Sequence, residues 1–224
     1  MLMVQENDQF LHSNYAQAAC TFEGMELNCL DGNETWKKGL SFFDSITETG
    51  VDTLDALKSL LWKHWNIQFA GSGDSAVTPA AVLPLQVLLN RKSGCVGLAW
   101  LAMMVAESRN IPLDARLLPN HIYLKYKGQI NLEPNLAGFS YSDAEYLKKY
   151  RKGPWTGYEF SPLTLSRFLG LAAFNLGNYS LNINNLPDVK TDVRKALAWY
   201  RMAKEFFPDY PGILANQELA KSRL

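Results

Sequence analysis

The stretch from Asn90 to Tyr126, "NRKSGCVGLAWLAMMVAESRNIPLDARLLPNHIYLKY", restricts the possible folds more than any other part of the chain. A Ser93-Gly94 turn leads into an apolar run that opens on Cys95, which predicts a helix from Cys95 to about Ser108. "RNIP" ends it, because the residue before a proline is driven out of helical φ/ψ. The period then changes. "LDARLLP", "HIYLKYKG" and "QINLEPN" are short, alternate in places and are broken by Pro119, Gly128 and Pro134, as in a strand meander. "KYKGQI" predicts a hairpin turn between the second and third of these strands.

Around this centre the chain reads as helical. From about Asn7 to Ala70 the pattern is that of helices, with Leu54, Leu57, Leu60, Leu61 and Trp65 spaced as one buried stripe. Asp52 or Thr53 is placed to cap that segment. "GSGDSAVTP" is a polar loop, "AAVLPLQVLLNRK" a short helix, and from Ser161 onward the chain is helical again. Helices, a cysteine-led helix, antiparallel strands and a helical tail together predict an α+β fold. The expected division is a helical N-terminal region over 1–70, a core over 71–160 and a tail over 161–224.

Composition narrows the function. The 224 residues are 47% hydrophobic and 20% charged, with a formal net charge of zero, so no electrostatic attraction to nucleic acid or an anionic membrane is expected. The most basic stretch, "YLKKYRKGPW", is short and reads as a solvated face. No apolar run approaches the length of a membrane span. The first residues lack the basic and apolar regions of a secretory leader. As written the chain reads as cytoplasmic, or as periplasmic or otherwise extracytoplasmic if a leader has been removed. Three cysteines are too few for a disulfide scaffold. Cys20 and Cys29 could pair and leave Cys95 free, or all three could be reduced.

Cys95 and His121 carry the chemistry that matters most. A thiolate is the nucleophile, so the thiol must ionise near neutrality, which a helix N-terminus and an adjacent imidazolium both favour. Cys95 stands in a first helical turn, and its own amide is placed to stabilise an oxyanion. Gly94 permits a tight turn and is expected to leave room for a substrate carbonyl. Alternation puts His121, Tyr123 and Lys125 on one strand face. Across the hairpin, Glu133 and Asn131 share a face and compete to orient the imidazole.

These residues resemble the core of the transglutaminase-like superfamily, whose papain-related fold sets a cysteine at a helix start, a histidine on one strand and an aspartate, commonly before proline, on the next. "GCVGLAWLAMMVAESRNIPLDARLL" matches the cysteine helix and its exit, "NHIYLKY" the histidine strand, and "INLEP" the aspartate strand. The nearest likeness is to a bacterial branch with "LLNR…G" before the helix. The resemblance implies cysteine-dependent acyl transfer on an amide or peptide carbonyl through a thioester, with Cys95, His121 and Glu133 as the catalytic residues. It implies no metal or organic cofactor, and a protein or peptide substrate. Glu133 departs from the usual aspartate and is one methylene longer. Papain relatives also place a side-chain amide shortly before the cysteine as a second oxyanion donor, for which Asn90 and then Gln86 are the candidates; Asn90 could instead cap a helix C-terminus. The competing reading is a non-catalytic interaction scaffold.

Other features are weaker. His12 and His64 lack ligand spacing for zinc, and "GSGDS" lacks the lysine and context of a phosphate loop. Trp62, Trp65 and Trp100 read as core, while Trp155, in a Gly/Pro-bearing loop, could wall a cleft. In the tail, Ala196, Tyr200, Ala203 and Pro208 follow the spacing of a tetratricopeptide repeat's second helix, with Leu176-Gly177 at the helix crossing. One such repeat is too few to stand alone, so the tail is expected to pack on the core, with a partner-binding surface as the alternative.

Overall fold

The computed structural model describes residues 14–71 and 73–224. His12 and the start of the N-terminal region lie outside them. The fold is α+β, with ten α-helices and a small antiparallel sheet among the described residues.

The N-terminal helices are each stopped and started by local chemistry. In α1 (Tyr15–Phe22) the Asn14 side chain accepts from the Gln17 amide, and in α2 (Glu34–Glu48) Asn33 accepts from the Trp36 amide. The third, α3 (Thr53–Lys58), is capped by Asp52 and widens into a π-turn over Ser59–His64. Its apolar stripe buries Leu57, Leu60, Leu61 and Trp65, each burial contributing about 1.5–3 kcal/mol relative to exposure. The expected helicity stops short of Ala70: Gln68–Phe69 form β1, which pairs in parallel with β2 (Lys92–Ser93). Two-residue strands are too short to leave a period in the sequence. The anticipated helix before the cysteine is two helices, α4 (Pro79–Val82) and α5 (Pro84–Asn90), split because Pro84 cannot continue the hydrogen-bond ladder.

Helix α6 (Cys95–Ser108) is buried almost all round, from Val96 to Ala106, and forms the axis of the molecule. Trp100 at its middle is fully buried and donates its indole N–H to the Tyr15 carbonyl at 3.0 Å. Against one side lies the sheet, β3 (Leu113–Leu118), β4 (His121–Tyr126) and β5 (Ile130–Leu132), in that order and antiparallel. The register puts Leu118 opposite His121 and Lys125 opposite Asn131. The even residues of β4, Ile122 and Leu124, enter the core with α6, as does Tyr126 at the strand's end.

The odd residues of β4 face a helix where the sequence predicts a solvated basic stretch. This is α7 (Asp143–Tyr150), opened by a capping box in which Ser142 and Glu145 satisfy each other's backbone amides. After it come α8 (Leu165–Leu181), α9 (Val193–Phe206) and α10 (Pro211–Lys221). Phe168 of α8 packs edge-on against Tyr15 and Trp100, so the tail shares the core of α6. At the α8–α9 crossing Gly177 lies against the Tyr200 ring, where a Cβ would come within 2.5 Å of it.

Candidate active site

Cys95 is the first residue of α6 and Gly94 its N-cap. The first-turn amides of a helix have no intrahelical acceptor, so their N–H groups and the helix dipole present positive charge to the sulfur. Gly94 has φ −84°, a conformation open to any residue. Its missing side chain serves a different purpose from the one expected: a Cβ there would lie 2.1 Å from the Ala76 carbonyl oxygen. The space is filled by this chain's own backbone and is not free for a substrate carbonyl. The Gly94 amide also donates to the Ala81 carbonyl at 3.0 Å, so the start of α6 is seated on α4 and on the segment just before it.

Three elements converge on the imidazole. His121, at the start of β4, is buried, and its Nε2 lies 2.9 Å from Glu133 Oε2. That leaves Nδ1 free for the sulfur, and the charges of Cys95 and His121 act on one another, each favouring the ionised form of the other. Glu133 follows β5 and is buried. Its backbone is pinned to Phe139 by a 2.8 Å amide-to-carbonyl bond, and its Oε1 accepts from the Asn135 amide at 3.1 Å. Asn131, the competing orienter, turns elsewhere: its amide donates to Asp143 Oδ1 at 2.7 Å and to the Tyr141 carbonyl at 2.8 Å.

The electrostatics follow from this enclosure. Burial pushes the Cys95 thiol up, but the charge and hydrogen bond of His121, with the Ile122 amide, outweigh it and hold the thiol below its ordinary value. Burial pushes the His121 ring down, yet the Cys95 thiolate and Glu133 carry it up to about 9. Glu133 is held below the usual carboxylate range because the His121 hydrogen bond and charge overcome its burial. The arrangement favours a thiolate–imidazolium pair backed by a carboxylate. The thiol of Cys95 is free and the residue keeps part of its surface open to solvent.

The two amides considered as oxyanion donors are not brought to the sulfur. Asn90 donates its side-chain amide to the Gln86 carbonyl at 2.8 Å, a bond within its own helix end. Gln86 donates to Glu23 Oε2 at 3.0 Å. The Asn90 bond is the helix-end role that the sequence offered as its alternative, whereas the Gln86 bond reaches a carboxylate 63 residues away in sequence, which spacing does not reveal. The backbone amide of Cys95 is the donor that remains. Cys20 and Cys29 form a disulfide, and His64 stacks on Phe42.

Residues that the sequence reading did not select come from α7. Tyr146, fully buried, donates its hydroxyl to Glu133 Oε2 at 3.1 Å, and the Tyr150 ring lies parallel to the His121 ring at 5.2 Å, tilted by 3°. The one signal for them was the Ser142-x-x-Glu145 capping box. Beside the site a groove of about 650 Å³ runs between β1 and the turn after Glu133, walled by Trp62, Ile67, Phe69, Leu136, Phe139 and Tyr141, and none of its lining residues is charged. Trp155, expected as a possible cleft wall, instead stacks on Phe160 away from this groove.

Among the described residues no helix is long and apolar enough to cross a membrane. No curated protein and no solved structure matches the chain significantly. Residues 34–168, more than half of the chain, match the family model of the transglutaminase-like superfamily. The chain belongs to that superfamily, whose members generally carry out cysteine-dependent acyl transfer or proteolysis on protein substrates.

Proposed function

We propose that this member of the transglutaminase-like superfamily is a cysteine-dependent acyl-transfer enzyme acting on a carboxamide or peptide carbonyl, with Cys95, His121 and Glu133 as its triad. The carrying observation is the His121 ring, bonded to Glu133 at 2.9 Å and electrostatically coupled to Cys95 at the start of α6.

The Cys95 thiolate attacks the carbonyl carbon, and the carbonyl oxygen becomes an oxyanion beside the Cys95 amide. The imidazolium of His121 gives its proton to the leaving nitrogen, the C–N bond breaks, and an acyl thioester on Cys95 remains. Water or an amine then attacks the thioester and passes a proton to His121, and the thiolate leaves. Glu133 keeps Nε2 as a donor so that Nδ1 can work on the sulfur and the leaving group. Water as acceptor gives hydrolysis or deamidation, and an amine gives crosslinking.

A second reading, a non-catalytic scaffold, draws support from Asn90 and Gln86, whose amides are engaged elsewhere. Labelling of Cys95 by iodoacetamide across pH separates the two. The enzyme reading expects ionisation well below that of a free thiol and its loss in His121→Ala. An ordinary thiol profile in the wild type would leave the scaffold reading standing.

A further inference from the structure

Glutamate in place of aspartate creates a positional problem. Its extra methylene adds a rotatable bond, and a carboxylate that swings loses the imidazole it should orient. The contacts around Glu133 show how the problem is met. Oε2 accepts from both His121 Nε2 and the Tyr146 hydroxyl, and Oε1 accepts from the Asn135 amide. Both carboxylate oxygens are therefore tied, one of them by a side chain from α7.

That helix meets β4 residue by residue. His121 stacks on Tyr150, the Tyr123 ring lies 4.5 Å from that of Tyr146, and the buried Lys125 ammonium lies 2.8 Å from Asp143. Strand positions two apart thus face helix positions three or four apart, spans of roughly 7 Å and 5–6 Å. The Lys125–Asp143 pair anchors one end, and the two tyrosines fall over the triad at the other.

We propose that α7 is the positioning element of this site: the Tyr146 hydroxyl selects the rotamer of Glu133, and the Tyr150 ring holds the plane of His121 and covers it from water. The proposal rests on the triad reading above. Neither tyrosine touches substrate in this scheme; both act through the histidine–carboxylate pair. The titratable groups facing the ring are Cys95 from α6, Glu133 after β5, and Tyr146 and Tyr150 from α7. Lys149 lies over the Tyr150 ring at 5.5 Å.

Tyr146→Phe removes one hydroxyl and keeps the ring on Tyr123. A hydrogen bond to a charged group is large enough for its loss to lower Cys95 labelling by iodoacetamide near pH 6 by about three- to tenfold. Tyr150→Leu should do likewise, while Tyr150→Phe, which keeps the stacked ring, should match the wild type. A second readout does not depend on the thiol: ¹⁵N NMR of the His121 ring, assigned with His121→Asn, should show Nε2 losing its fixed proton in Tyr146→Phe. Unchanged labelling and an unchanged ring spectrum in folded Tyr146→Phe overturn the proposal. An ordinary thiol in the wild type with a ring spectrum that responds to Tyr146→Phe overturns the enzyme reading and leaves the positioning role intact.

Discussion

Glu133→Gln removes the charge at the buried end of the triad and keeps its shape. The ring of His121 rises from 6.5 to about 9, a differential interaction of about 3 kcal/mol. Burial opposes that rise, so the Cys95 thiolate and Glu133 supply all of it. If Glu133 accounts for a third to a half, neutralising it lowers the ring by roughly one pKa unit and shifts the equilibrium constant between ion pair and neutral pair by up to about tenfold, less what the thiol gains from losing the same charge. The glutamine oxygen can still accept from Nε2, so orientation survives and the loss reports charge. Thermal stability is the wrong assay between pH 6.5 and 9. The ring's raised value alone gives stability that is complete below 6.5 and lost as pH rises through about 9. The thiol's lowered value alone gives stability present at high pH and lost as pH falls through its folded value. In the window between, the folded pair holds one proton on the ring and the unfolded chain holds one on the sulfur. Proton counts match and the melting curve is flat. Thiolate absorbance near 240 nm and iodoacetamide labelling see what melting does not. Profiles of Glu133→Gln that superimpose on the wild type would refute the reasoning.

Other substitutions probe the frame and its edges. Gly94→Ala sets a methyl against the Ala76 carbonyl, with backbone on both sides, and should lower stability by about 1–3 kcal/mol in a denaturant titration. Asn90→Ala should leave turnover unchanged, because that amide is bonded to the Gln86 carbonyl; a hundredfold loss of kcat would restore it as an oxyanion donor. The Cys20–Cys29 bridge closes a short loop with a separation of 9, so reduction should cost about 2–3 kcal/mol, and Ellman titration should find one thiol before reduction and three after it. Phe139 is 55% exposed on the groove, so Phe139→Ser should barely move Tm but raise KM for peptides with a large apolar residue beside the reacting amide, with little effect on charged ones.

What could be read in advance follows the strength of the local signal. The apolar run after Cys95 is long and ends at "RNIP", and the helix spans Cys95–Ser108. Strand alternation located His121, Tyr123 and Lys125 on one face, because a two-residue period survives even in a six-residue strand. The choice between Glu133 and Asn131 was not legible, since both lie on that face; it is made by Asp143, which takes Asn131 and Lys125 for itself. The filling of the Gly94 space by Ala76 and the engagement of Gln86 by Glu23 are long-range or looped contacts with no trace in spacing. Helix α7 escaped for a more instructive reason. Its inward face is Asp143, Tyr146 and Tyr150, with no aliphatic stripe, so hydrophobic periodicity passes over it. That face is polar because the strand it covers presents a histidine, a tyrosine and a lysine. A buried histidine or lysine there is stable only with a partner, and Glu133 and Asp143 supply them. The feature that hides this helix from a pattern search is therefore the one that fits it to hold a triad with a glutamate in its third place.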